Sequence, residues 1–141
     1  MLNRIFVYGS LRRVYTNQYA RLLHQSSTYK GTARMRGRKY QIGRYPGMKP
    51  PVTNNDWVEG EVYEINAPAG LFKRFDYYES PDYQREIRPA TLSTGQPVDC
   101  WVYLYLPDVL DQAAQPPRKG PDTFENFQNA RGNTAARKNS A

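Results

Sequence analysis

A carboxylate set among aromatic rings is the chain's strongest chemical signal. In FDYYESPDYQR, Phe75 to Arg85, Glu79 ends an aromatic, helix-like run and is followed by Ser80, Pro81, Tyr83 and Arg85. Held among Phe75, Tyr77, Tyr78 and Tyr83, its carboxyl would be partly withdrawn from water, which disfavours the charged form and raises its affinity for a proton. Such a group can pass protons near neutral pH. A solvated glutamate at a helix end is the plain alternative. A second stretch, FVYGSLR at Phe6 to Arg12, runs a short apolar strand into a Gly-Ser turn. Gly9 lets a ligand approach the main chain, and Ser10 adds a hydroxyl to consecutive peptide N–H groups, so the turn can bind an anion. An ordinary strand-to-loop corner has the same sequence.

Other chemistries find less support. The one histidine, His24, is the only imidazole that could serve Ser10 as a base, and it sits in a helical segment beside Leu22 and Leu23 as a core histidine would. No G-x-S-x-G elbow surrounds Ser10, and neither a phosphate-loop nor a dinucleotide-binding glycine pattern is present. One histidine and one cysteine leave no usual zinc set and no internal disulfide, so no metal is expected.

The elements that must position these residues follow from periodicity. Ile5 to Val7 reads as a buried strand, and Thr16 or Asn17 as the cap of a short helix carrying Tyr19, Leu22 and Leu23. Thr28 to Ile42 reads as one curved strand bent at Gly31 and Gly37, and GRYPGMKPP as a loop, because three prolines and two glycines oppose both helix and ladder. Trp57 to Ile65 alternates as a strand with Gly60 at a bend. Asn66 can then cap a helix ending near Glu79, with Leu71, Phe75 and Tyr78 as its apolar stripe. Strands around Tyr83 to Leu92 and Val98 to Leu106 complete the pattern, and Cys100 falls on the core face of the last. With no regular strand-helix alternation, this predicts an α+β fold built on a curved, barrel-like mixed sheet.

A chain of 141 residues fits one domain with a real core. From about Pro107 the composition turns to Pro, Gln, Asn, Ala, Arg and Lys, so we divide the chain into a domain at 1–110 and a basic, loosely ordered tail at 111–141. Within the tail only DTFENFQNA could form a short helix. The start MLNRIFVYG lacks a signal peptide's apolar run, and nowhere do eighteen apolar residues follow one another, so a cytoplasmic protein without a membrane partner is expected. The net charge of +7 and the alternation of Arg34, Arg36 and Arg38, placing all three on one strand face, raise nucleic acid as a partner. A charged strand face that solvates the protein and discourages edge pairing is the commoner use of that pattern, and nucleic acid is not the expected partner.

The turn FVYGSLRR, a short helix, GRYPGM, VEGEVYEI, FDYYESPDYQRE and the final aromatic strand CWVYLYL resemble, in order and spacing, the gamma-glutamylcyclotransferase-like family, gamma-glutamylamine cyclotransferases included. The resemblance covers roughly Ile5 to Leu106 and rests most on the Y-G-S-L turn and the D-x-x-E helix end with its following Y-x-R. It implies a small mixed barrel of five to six strands flanked by short helices, with Glu79 as the catalytic residue. It further implies that Tyr8, Gly9, Ser10 and Leu11 hold a substrate carboxylate, with Tyr45, Tyr83 and Tyr105 as further substrate-binding residues. The implied reaction closes a γ-glutamyl compound to 5-oxoproline without a cofactor. Ser80 and Pro81 depart from the glycine that often follows the family's glutamate. A catalytically silent carboxylate-binding module of the same fold, and more remotely a basic nucleic-acid-binding protein, stay open at this stage.

Overall fold

The computed structural model describes residues 1–109. In chain order they form β1 (Arg4–Val7), α1 (Gln18–Gln25), β2 (Ser27–Arg36), β3 (Arg38–Ile42), β4 (Tyr45–Lys49), β5 (Trp57–Ile65), α2 (Pro68–Glu79), β6 (Tyr83–Leu92) and β7 (Pro97–Tyr105). Because side chains alternate along a strand, β1 serves two cores. Phe6 and the following Tyr8 enter the barrel with Met35, Val62, Cys100, Val102 and Leu104. Ile5 and Val7 face outward into a second core with Leu23, Tyr63, Phe72, Phe75 and Tyr103, which α1 and α2 cover. Five strands close the barrel in the order β1-β5-β2-β6-β7. β1 closes it by running antiparallel to β5 and parallel to β7.

The Thr28 to Ile42 segment is two strands rather than one. The β2 ladder with β5 shifts register between Tyr29 and Gly31, where Gly31 takes φ 129°, a backbone conformation that side-chain-bearing residues rarely adopt. After Gly37 the chain leaves the barrel, and β3 pairs with β4 in a separate two-stranded sheet. The segment expected to be a loop thus contributes a strand. Pro46 lies opposite Gln41 in a hairpin of only two strands, where a missing N–H need not interrupt a continuous ladder. The alternation of Arg34, Arg36 and Arg38 is broken at the same point: Arg34 and Arg36 lie over Trp57, at 4.3 and 5.2 Å, while Arg38 belongs to β3 and pairs with Asp56.

Asp56 fastens this hairpin to the barrel. Its Oδ2 accepts from the Val52 and Thr53 N–H groups, at 2.8 and 2.9 Å, and from Arg38 Nε at 3.0 Å, while Arg38 Nη2 reaches Oδ1 at 3.2 Å. Burial opposes its charge, but these donors outweigh it and hold the carboxyl at about 2, against an ordinary 3.8. A carboxyl depressed by folding stabilises the native state above its unfolded value and loses that contribution as pH falls through its folded value. The urea midpoint should therefore be insensitive to this group above about pH 4 and decline between about 4 and 2. In Asp56→Asn the midpoint should be lower at pH 7 and that part of the acid decline absent; an unchanged acid profile would contradict the assignment.

α1 begins at Asn17, whose side chain accepts from the Ala20 N–H at 2.9 Å. α2 begins at Ala67 without a side-chain cap, followed by Pro68, whose missing N–H would be unpaired in the first turn in any case. The expected cap, Asn66, instead commits its backbone N–H to the Ser26 carbonyl at 2.9 Å, closing β5 against the start of β2. Cys100 is wholly buried, and burial pushes its thiol up to about 12, as befits a core residue. Leu106 lies beyond β7 and is 47% exposed, so it leaves the core face assigned to it. Among the described residues no helix is long and apolar enough to cross a membrane. The 111–141 tail and its DTFENFQNA segment lie outside the described residues.

Candidate active site

The turn that follows β1 is buried throughout. Tyr8 and Ser10 are wholly inaccessible, and Leu11 and Arg12 nearly so. A short strand ending inside two cores leaves the carbonyls of its turn little access to water, so they take partners within the protein. Arg12 N–H and Arg12 Nε both reach the Gly9 carbonyl, at 3.2 and 3.1 Å. Asn17 Nδ2 donates to the Ser10 carbonyl at 2.8 Å, and His24 Nε2 lies 2.8 Å from the Leu11 carbonyl. A carbonyl only accepts, so Nε2 carries the proton. The His24 ring also stacks on Tyr63 at 5.2 Å. Tyr63 in turn donates to Glu61 Oε1 at 3.1 Å, an oxygen that also accepts the Arg13 N–H at 2.7 Å.

Glu79 closes α2 and is 1% exposed, so it is not the solvated helix-end glutamate that its position allowed. Its aromatic surroundings differ in part from expectation. Phe75 is buried, but Tyr77 points to solvent at 87% exposure, and Tyr78 stacks on Tyr19 of α1 with ring centroids 3.8 Å apart. A helix that buries Leu71, Phe72, Phe75 and Glu79 on one side necessarily turns position 77 outward. One turn before Glu79, Asp76 accepts both Arg85 Nε and Nη2, at 3.1 and 2.9 Å, and the Tyr103 hydroxyl at 2.7 Å. Burial works against the Asp76 charge, yet the Arg85 and Tyr103 donors together keep its carboxyl below the usual range. The Tyr103 hydroxyl is pushed far upward by burial first, then by Asp76, with the negative charge of Glu79 adding to it, so it remains a donor. The guanidinium of Arg85 lies over the rings of both Phe72 and Trp101, at 4.3 and 4.1 Å, which helps hold the pair in place.

Tyr103 and β4 join the pieces. The Tyr8 hydroxyl donates to the Tyr103 carbonyl at 2.7 Å and accepts the Met48 N–H at 3.1 Å. The Tyr83 hydroxyl donates to the Pro46 carbonyl at 3.2 Å, and the Tyr83 and Tyr105 rings meet edge to face at 5.2 Å. Lys49 Nζ reaches the Tyr105, Leu106 and Pro107 carbonyls, at 3.1, 3.2 and 2.9 Å. Tyr8, Tyr83 and Tyr105 are therefore brought together along β4, which carries the half-buried Tyr45 at its own start, opposite Ile42. A cavity of about 420 Å³ is lined by Asp76, Ser80, Tyr83, Gln84, Arg85 and Trp101, so that of the expected site residues Tyr83 alone lines it, and Glu79 and the turn do not. Tyr103, Asn17 and the Pro46–Met48 backbone were not among the expected site residues. Tyr103 carried a faint signal as the middle member of the Trp101, Tyr103, Tyr105 alternation, whereas backbone groups carry none.

The pattern described as gamma-glutamyl cyclotransferase, AIG2-like, matches residues 5–125. A provisionally named gamma-glutamylcyclotransferase of Methanocaldococcus jannaschii is 33% identical over 106 residues, 72% of this chain and 82% of the relative. One of Drosophila melanogaster, named in the same provisional way, is 30% identical over 115 residues, 74% of this chain and 70% of the relative. Among solved structures, an AIG2-like protein from Mus musculus superposes with a TM-score of 0.62 at 24% identity, covering 79% of this chain and 81% of the other. YkqA from Bacillus subtilis gives the same TM-score and identity over 74% of this chain, which spans only 36% of YkqA. These two superpositions show a shared fold.

Proposed function

The chain belongs to the gamma-glutamyl cyclotransferase, AIG2-like family, and from that premise we propose that it cyclises a γ-glutamyl amine or γ-glutamyl amino acid to 5-oxoproline, releasing the amine. The observation that carries this reading is the burial of the Glu79 carboxyl at the end of α2, in the electrostatic reach of Tyr103, whose carbonyl holds Tyr8 at the head of the turn. Asp76 is bound by Arg85 and Tyr103, Glu61 by the Arg13 N–H and Tyr63, and Asp82 faces solvent.

A γ-glutamyl compound carries its α-amine within reach of its own γ-carbonyl. With the α-carboxylate held at the turn and the chain folded back, the amine attacks that carbon through a five-membered ring, a step that pays no bimolecular entropy cost. Glu79 as carboxylate accepts a proton from the α-ammonium, and the amine nitrogen bonds to the γ-carbon. Glu79 then returns the proton to the departing nitrogen as the original C–N bond breaks, and the second proton, shed by the ring nitrogen as it becomes the lactam amide, passes to the released amine and leaves with it as an ammonium. Turn N–H groups supply donors for the substrate carboxylate and for the oxyanion that forms at the γ-carbonyl. No water is consumed.

Purified protein incubated with a panel of γ-glutamyl amines and γ-glutamyl amino acids, without added metal or nucleotide, should release 5-oxoproline from at least one of them by mass spectrometry. Folded protein that leaves every member intact would sink the proposal and leave a carboxylate-binding module in its place.

A further inference from the structure

Three successive carbonyls of the turn, those of Gly9, Ser10 and Leu11, are each taken by a different side chain: Arg12 Nε, Asn17 Nδ2 and His24 Nε2. A trans peptide is planar, and its N–H points opposite to its C=O. Fixing the Gly9 and Ser10 carbonyls therefore fixes the N–H groups of Ser10 and Leu11 on the far side of the turn, and His24, by holding the Leu11 carbonyl, fixes the Arg12 N–H that in turn holds the Gly9 carbonyl. Two of the three donors come from one element. Asn17 and His24 are seven residues apart, two turns of helix, so both stand on the same face of α1. That helix is itself locked to α2 through Tyr19, which stacks on Tyr78 and meets Phe75 edge-on at 6.1 Å. α1 thus spans from the turn to the helix that ends in Glu79.

We propose that Asn17 and His24 are positioning residues: α1 acts as a bracket that sets the Ser10 and Leu11 N–H groups toward a ligand carboxylate and holds them in register with Glu79. This rests on the reading of the turn as the carboxylate holder and not on lactam chemistry. Asn17 has a dual role, since its Oδ1 caps α1 while its Nδ2 holds the turn. His24 likewise separates into a stacking ring and a donor.

Those dual roles make the idea testable. Asn17→Ser keeps a good cap but loses the donor to Ser10. His24→Phe keeps the ring on Tyr63 and loses the donor, whereas His24→Gln loses the ring and keeps an N–H at nearly the same reach. The probe is L-glutamate, which carries the α-carboxylate and ammonium, titrated against the amide N–H signals of Ser10 and Leu11 by NMR, with thermal melts to verify folding. Both signals should shift in the parent protein. Asn17→Ser and His24→Phe should weaken binding by about tenfold to a hundredfold, the range for losing preorganised hydrogen bonds to a charged group. His24→Gln should stay within about threefold of the parent, a margin inside which single contacts ordinarily vary. With a turned-over substrate the same variants should raise KM more than they lower kcat.

Silent Ser10 and Leu11 signals in the parent, unchanged affinity in folded Asn17→Ser and His24→Phe, or equal losses in His24→Phe and His24→Gln would each overturn the proposal. Shifts at those amides without any 5-oxoproline from the substrate panel would sink the cyclotransferase reading and leave the bracket standing. Lactam formation with silent amides would do the reverse.

Discussion

Glu79→Gln should bind γ-glutamyl ligands as the parent does and turn them over about a thousandfold to ten-thousandfold more slowly. The substitution keeps the side chain's size and its hydrogen-bonding capacity but removes its ability to carry a proton in the working pH range. General acid-base catalysis is worth roughly a hundredfold to ten-thousandfold, and the upper part of that range applies because one carboxyl serves both proton transfers. Its burial at 1% exposure leaves little room for a water to take over the task. The site's remaining fixed charges should stay in place, because Asp76 keeps Arg85 and Tyr103. Rates of 5-oxoproline formation and a ligand titration on the same sample decide the matter. Near-normal turnover would return the base to Asp76, Asp82 or Glu61. Loss of binding with the fold intact would make Glu79 a substrate-holding residue first.

The second large effect lies at Gly60, beneath the turn. A Cβ built there would sit 2.3 Å from the Val7 carbonyl oxygen and 2.7 Å from Phe6 Cζ. Backbone cannot rotate away as a side-chain tip can, so Gly60→Ala must push β1 off β5, and Val7 leads directly into Tyr8. Overpacking typically costs about 1–3 kcal/mol, and a clash with main chain belongs at the top of that range or above it. For a domain of this size the midpoint of thermal unfolding should fall by roughly 10–20 °C, with turnover impaired because the displaced strand carries the turn. Gly70→Ala is the control. Position 70 lies in α2, and its added Cβ meets nothing within 4 Å. That change should leave activity alone and stabilise the protein by about 0.5–1 kcal/mol, since glycine is a poor helix former. Equal melting points for the two variants would show that β1 and β5 tolerate separation.

How far the sequence reaches is clearest at particular residues. Where a segment is buried, its apolar pattern announces it: the continuous run of the Ile5–Val7 strand, the alternation through Trp57–Ile65 and Val98–Leu104, and the Leu71–Phe75 stripe are all legible, because side-chain direction follows backbone geometry alone. The Y-G-S-L turn and the D-x-x-E helix end with its Y-x-R are legible for the same local reason. Local pattern misled where a partner decides the outcome. Tyr45–Lys49 reads as a loop because three prolines and two glycines fall in or beside it, yet pairing with Arg38–Ile42 makes it a strand. Gly37 reads as a bend within one strand, and only the Asp56–Arg38 attachment shows that a second sheet starts there. Whether Glu79 is solvated or buried was likewise undecided by its sequence position, since burial is set by what packs over a helix end and not by the helix itself.

The sequence by itself determined the α+β composition, most of the barrel's strands and the positions of a Gly-Ser turn and a helix-ending acid, because each of these is written in spacing over fewer than about a dozen residues. Tertiary structure alone decided that Asp76 is held by Arg85 and Tyr103, that β4 gathers Tyr8, Tyr83 and Tyr105, and that α1 grips the turn through Asn17 and His24. Most of these contacts join residues far apart in the chain, and several end on backbone carbonyls or N–H groups. Every residue type carries those groups, so no choice of side chain at the accepting position records them, and only the closure of the barrel brings donor and acceptor within reach.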